Sequence, residues 1–458
     1  MGKNLKRIAC CLSAASLLAA LCSCTAEKDG IKKISVWSPD SHSKTVMNKI
    51  VSDWNESRGK ELGVEIVYEI KENDIQQTVD MAYESEQAPD MFSSVQVEKH
   101  ATANHIVALD DMEGGKEFLS KYDPESYLGS KFQYDGKTYT VPASVNTFGL
   151  VYNKDMFKKY GIVDENGEPT PPKTFKEMRE YAKRMTNTAE KDYGIILPMK
   201  WGAFYSVDVG QLAQGSAGRI TFDCTSGKYD FSIYKPIYEM YLGMKEDGSI
   251  FPGEEALDND TARAYFAERN IGMKLAGSFD VGVYNTQFPA KCDWGVAPYP
   301  RENENDKYYY YLGTGGSYSI STTAREKASD EVLLEIYNLF VGPETAKKLY
   351  QEGMSIYYDA SVLEGITPGG ALKGWSDFAA LVNVSKPPYK DPGVILNGVQ
   401  DVKDYFYQEV WTGKVTVDEA IEALNERYNK GMDEWFENNP DYKKEDYLNP
   451  DLDLRIKD

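Results

Sequence analysis

With 458 residues, 41% of them apolar and 27% charged, the chain is long enough to bury more than one substantial core. A formal net charge of −21 argues against nucleic acid as a partner, because binding it needs basic patches that neutralise phosphates. Six cysteines give no disulfide framework, and three histidines without a His-Glu-x-x-His spacing give no basis for a zinc hydrolase.

Lys3, Lys6 and Arg7 precede a small, apolar run from Ile8 to Leu21, the build of an export signal. That run falls short of the ~20 residues a spanning helix requires. Leu21-Cys22-Ser23-Cys24 resembles a bacterial lipobox, with Cys22 an uncommon occupant of its position. The expectation is a signal peptide over 1–23, a lipid on Cys24 and a tether over 24–31. The protein would then sit at the extracytoplasmic face of the cell membrane. After cleavage only Cys224 and Cys292 remain to pair with each other, and spacing leaves open whether they do.

Ile34 to Trp37 reads as a strand ending in the turn Ser38-Pro39-Asp40. Lys44 to Glu56 has helical spacing, with Val46, Ile50, Val51 and Trp54 on one face. A second strand follows over Gly63 to Ile70, a second helix over Asp74 to Ser85, and a short strand starting at Asp90. Alternating strands and helices imply a mostly parallel sheet with crossovers, which binds ligands beyond the carboxyl ends of its strands. Asp135-Gly136 marks a hairpin turn. Thr174 with Glu177 three residues later starts a helix. No repeat, low-complexity run or flexible linker separates the parts.

Further along, "APDMF", "YDGKTYTVP", "GLVYNKDMFKKYGI" and "PPKTFKEM" appear in order, followed by "AYFAERNIGMKLAGSFDVGVY", "WGVAPYP", "YLGTGGSYSIS" and "WTGKVTVDEAIEAL". In this order the segments resemble the bacterial extracellular solute-binding proteins of family 1, over nearly all of the mature chain. The resemblance implies an α/β protein of the type II periplasmic binding fold, in which two α/β lobes close on a ligand. Lobe 1 is expected over 32–144 plus 301–320, and lobe 2 over 145–300 plus 321–458. Crossings between them are expected near 142–146, 296–300 and 319–323. The resemblance further implies a receptor that captures a sugar or oligosaccharide and delivers it to the permease subunits of an ABC importer; a monomer without catalytic role is expected, and no cofactor or metal is assigned. Alternatives are a non-sugar solute (polyamine, glycerol phosphate diester or peptide), a ligand sensor, or a secreted glycoside hydrolase.

A pyranose presents an apolar C–H face and a rim of hydroxyls, so its site calls for aromatic platforms beside polar side chains. Trp37, at the end of the first strand, is either a platform or a core residue. Trp201 and Tyr205 fall in a loop after the strand "YGIILP". Phe279 and Asp280 follow the apolar strand Ile271 to Ala276; the carboxylate either binds hydroxyls or caps the next helix. Phe279 stands where the family often has tryptophan. Gly315 and Gly316 lie in a loop that exposes backbone N–H groups or simply turns tightly. The resemblance adds Asp90, near the third strand, and Asn146, beside the hinge.

Overall fold

The computed structural model describes residues 30–456, apart from 42, 72–74, 94, 123, 125–130, 316, 368–371, 387, 388, 390, 395, 397–399 and 441. Cys24, the signal segment and Gly316 lie outside the described residues.

The first half follows the expected alternation. Strand β1 (Lys32–Ser38) leads into helix α1 (Lys44–Trp54), strand β2 (Val64–Ile70), helix α2 (Ile75–Glu84) and strand β3 (Met91–Ser93). Helix α1 buries Met47, Ile50, Val51 and Trp54, the stripe that 3.6-residue periodicity places on one side. β1 pairs in parallel with both β2 and β3, the pairing that helical crossovers permit.

The chain then runs through β4 (Ser144–Asn146) into a second sheet that starts with β5 (Phe148–Asn153). Helix α3 (Phe175–Arg184) follows, with Thr174 and Glu177 forming the expected capping box. Next come β6 (Tyr193–Ile195), a wide helical turn over Tyr205–Gly210 that continues as α4 (Gln211–Ala217), and α5 (Asn259–Glu268). Strands β7 (Ile271–Gly277) and β8 (Trp294–Ala297) complete the sheet, whose order is β8-β5-β7-β6. β7 is buried along its whole length, as a central strand covered on both faces must be. Successive residues of β5 feed opposite cores: Leu150 packs with Phe157 and Met178, Val151 with Trp294 and Trp375.

Strand β9 (Gly313–Gly315) returns, pairing antiparallel with β4, and β10 (Tyr318–Ile320) joins the first sheet beside β3, giving the order β10-β3-β1-β2. Helices α6 (Asp330–Val341) and α7 (Pro343–Gln351) follow, and Ile356 then bridges back to Val145, whose N–H donates to the Ile356 carbonyl at 2.8 Å. Three chain segments therefore run side by side between the two sheets, at 144–146, 313–315 and 356. The first falls where it was expected. The other two do not: Val296 and Ala297 pair with Val151 and Leu150 inside the second sheet, and 318–320 already belong to the first.

The expected division shifts for the same reason. Leu333, Ile336, Tyr337 and Phe340 of α6 share one core with Ile34 and Val36, so residues 322–341 pack with the first sheet rather than the second. Tyr310 packs in the second sheet's core, so the stretch from 301 to 311 does not belong to the first. Among the described residues no helix is long and apolar enough to cross a membrane. Cys224 and Cys292 are separate thiols.

Candidate functional site

The ribbon between the sheets has two unlike faces. In antiparallel register Ser144 sits opposite Gly315 and Asn146 opposite Gly313, so the two polar side chains and the two glycines share one face. A Cβ on Gly315 would lie 3.3 Å from both Asn146 Nδ2 and Ser144 Oγ, and one on Gly313 would lie 3.0 Å from the Phe148 ring. Glycine here makes room for neighbouring side chains to lean across the strand. The result is a close-packed ribbon on which two half-buried polar side chains lie over the glycines, with the buried Phe148 ring at one end.

On the first-sheet side, Asp40 and Ser43 after β1 join Ser144 and Tyr318 around a cavity of about 30 Å³, room for one water. On the second-sheet side, Phe148 meets Phe279 edge-on at a centroid distance of 6.1 Å and an interplanar angle of 79°. Phe279 follows β7 and is half-buried. Its loop is bonded to the residue after β4, the Ser278 N–H donating to the Thr147 carbonyl at 2.9 Å.

The structure therefore gathers Asn146, Gly315 and Phe279 at one place. It puts the other candidates elsewhere. Trp37 donates its indole N–H to Glu69 Oε2 at 2.7 Å, carries the Lys71 ammonium 4.4 Å from its ring centroid, and packs half-buried with the Ile75, Val79 and Phe92 cluster under α2. Trp201 is half-buried on the second sheet's core, in the loop after β6. Tyr205 is no loop aromatic: it is 5% exposed, bonds Tyr238 through its hydroxyl, and packs against Tyr234 and Phe406. Burial pushes its phenol well above the usual range.

Both aspartates are buried ties. Asp90 precedes β3, away from the strand's carboxyl end, and its Oδ2 accepts from the Ser35 N–H at 2.7 Å, the Ser35 hydroxyl at 2.9 Å and Lys327 at 2.8 Å. Asp280 is fully buried against Arg263 and Lys274. It does not cap the next helix; its Oδ2 accepts the Gly277 N–H at 3.1 Å and so closes the turn that carries Phe279. Neither carboxylate reaches solvent where a ligand would stand.

Sequence reasoning passed over Ser144, Phe148, Asp40 and Ser43. The first two had a signal: they are two residues to either side of Asn146, the spacing that puts strand side chains on one face. Asp40 and Ser43 had none beyond following a strand.

A second polar group lies deeper in the second lobe. Asp208, Gln211 and Gln214 recur along one helical face, each 1% exposed. Both Asp208 oxygens, Gln211 Oε1 and both polar atoms of the Gln214 amide have no hydrogen-bond partner among the described residues. Burial raises the Asp208 carboxyl to about 8, against the pull of the Lys274 ammonium.

A sequence profile described as "Bacterial extracellular solute-binding protein" matches residues 39–348. Curated relatives include a maltotriose-binding protein of Pyrococcus abyssi, 27% identical over 62% of this chain and 58% of its own length. Another is the sn-glycerol-3-phosphate-binding periplasmic protein UgpB of Pectobacterium atrosepticum, 24% identical over 64% of this chain and 66% of its own length. The chain thus matches less than two thirds of either relative. Among solved structures, a maltose/maltodextrin-binding domain from Bdellovibrio bacteriovorus bound to maltotriose superposes with a TM-score of 0.65 at 20% identity, covering 88% of this chain and all of that one. The solute-binding protein RafE in complex with raffinose gives 0.61 at 16% identity, over 87% of this chain and 99% of that one. At these identities the likeness shows the fold, and it is the type II periplasmic binding fold.

Proposed function

Because this chain belongs to the bacterial extracellular solute-binding protein family, we propose that it is an extracytoplasmic receptor that captures a carbohydrate and delivers it to an ABC importer. The observation that carries the carbohydrate reading is the meeting of two unlike surfaces at the crossing ribbon. Phe279, half-buried and backed by the buried Phe148 ring, offers apolar ring surface, while Ser144 and Asn146 stand over glycines beside it. That is the pairing a sugar's C–H face and hydroxyl rim require. In this reading Trp201, half-buried on the second sheet's core and apart from the ribbon, is a second platform for a ligand longer than one sugar ring. Relatives and structural neighbours whose names record maltotriose and raffinose support the same ligand class. The family is one of binders rather than catalysts, and the lobes would close over ligand as a hinged pair. Cys24 would carry the lipid that holds the mature chain to the membrane.

The UgpB relatives favour a second reading, a glycerol phosphate. A phosphate asks for a cation that is free to pair with it. Arg263 and Lys274, the buried cations against Asp280 beside Phe279, are already paired with that carboxylate, which makes the sugar the better fit.

Thermal-shift screening of the unlipidated mature chain separates these readings. The panel would hold maltotriose, raffinose, other oligosaccharides and sn-glycerol 3-phosphate. A ligand present at ~100 times its dissociation constant stabilises the fold by about 2.7 kcal/mol. A shift with sn-glycerol 3-phosphate alone would sink the carbohydrate reading.

A further inference from the structure

The turn from Gly277 to Asp280 is held on several sides. Asp280 Oδ1 lies 2.5 Å from both Nε and Nη2 of Arg263, a residue of α5 that is itself 8% exposed. Arg263 Nη1 reaches Asp260 Oδ1 at 2.7 Å, and Lys274 Nζ stands 3.9 Å from Asp280 Oδ2. The guanidinium carbon of Arg263 is 5.5 Å from the Phe279 ring centroid, within the range of a cation–π contact. The ring folds back onto Gly277, where a Cβ would fall 2.5 Å from a ring carbon. Glycine is the residue that admits it.

A buried Arg–Asp pair is a poor route to stability, since desolvation offsets most of the attraction and an apolar replacement is often neutral. What such a pair supplies is fixed geometry: the guanidinium fork and the carboxylate define each other's orientation. Here that geometry passes directly to the ring. Asp280 closes the turn through the Gly277 N–H, and Arg263 borders the ring it presents, with the Phe148 edge on a further side. We propose that Arg263, acting with Asp280, is a positioning residue that holds Phe279 in one orientation ready for ligand. This rests on the reading of Phe279 as a ligand-facing platform. The restraint lowers the ordering cost of binding, because the ring is already fixed when the sugar arrives.

The test places para-fluorophenylalanine at position 279 of the mature chain and follows its fluorine NMR line well below the melting temperature. The parent protein gives one narrow line. Arg263→Met broadens or splits it and lowers maltotriose affinity about tenfold, and Arg263→Lys, which keeps charge without the fork, falls between. An Arg263→Met protein that melts earlier but keeps the parent line has lost only stability, and the proposal is overturned. Should Arg263→Met fail to fold, Asp280→Asn is read in the same way. A line that moves with Arg263→Met but ignores saturating maltotriose and every other sugar of the panel upholds the positioning role and rejects the ligand-facing reading. A line that answers to maltotriose but not to the variants does the reverse.

Discussion

The two lobes bring different chemistry to the ribbon that joins them. The first presents Asp40, Ser43 and Ser144 around a small cavity; the second presents Phe148 and Phe279 edge to face. The contrast extends inward. Each lobe buries a titratable group that its surroundings keep neutral, and the groups have opposite signs. In the first it is His100, lowered to about 4 by burial, which outweighs the pull of Asp80. His105, at 3.2 Å between the two Nδ1 atoms, and Lys99 push the same way as burial. In the second it is Asp208, raised to about 8. Burial penalises whichever form is charged, so a base and an acid shift in opposite directions for one physical reason.

Within the second lobe, the largest expected effect separates two aromatic residues four positions apart, one in its core and one in the loop after β6. Tyr205→Ala should cost about 3–5 kcal/mol of stability, because its ring fills the second core. Trp201→Ala should leave the melting temperature nearly unchanged and weaken sugar binding by about 1–3 kcal/mol. Calorimetric melts and titrations on both variants check the pair; a collapsed melt for Trp201→Ala would return that residue to the core.

The buried acid and base predict opposite pH signatures. Asp208 binds its proton more tightly folded than unfolded, so its contribution to stability declines as pH rises from about 4 to about 8. Asp208→Asn should therefore gain on the parent protein across that window, by about 1–3 kcal/mol at its upper end. His100 binds its proton less tightly folded than unfolded. Its contribution is complete above the unfolded value of ~6.5 and is lost as pH falls toward 4. His100→Gln should flatten that acid-side decline. Urea melts from pH 4 to 8 on both variants test this, and slopes of the same sign would refute it.

The smallest effect belongs to the polar face. Ser144→Ala removes one hydroxyl and should weaken sugar binding by about 0.5–1.5 kcal/mol without altering stability. An unchanged affinity would assign recognition to the aromatic side and to Asn146.

Local signals sufficed for the elements. The β1–α1–β2–α2–β3 alternation, the Thr174 capping box and the Asp135-Gly136 turn were legible because periodicity and capping act within a few residues. So was the general position of Phe279, at the end of a recognisable strand; Asn146 came from the family resemblance. The direction a side chain takes was not legible. Asp280 read as either a hydroxyl-binding carboxylate or a helix cap, and Asp90 entered through the resemblance alone, until Ser35, Lys327 and Arg263, residues 17 to 237 positions away, are seen to occupy them. Tyr205 read as a loop aromatic until Tyr238 and Phe406 closed around it.

The sequence by itself determined an α/β alternation, an acidic chain and which aromatic residues it holds. Only the tertiary structure decided that α6 belongs with the first sheet, that Gly313 and Gly315 lie opposite Asn146 and Ser144, and which carboxylates are already spoken for. The reason is one of range: propensity and periodicity are fixed by neighbours along the chain. Burial and pairing are fixed by neighbours across it, and a buried charge takes whichever partner the fold delivers.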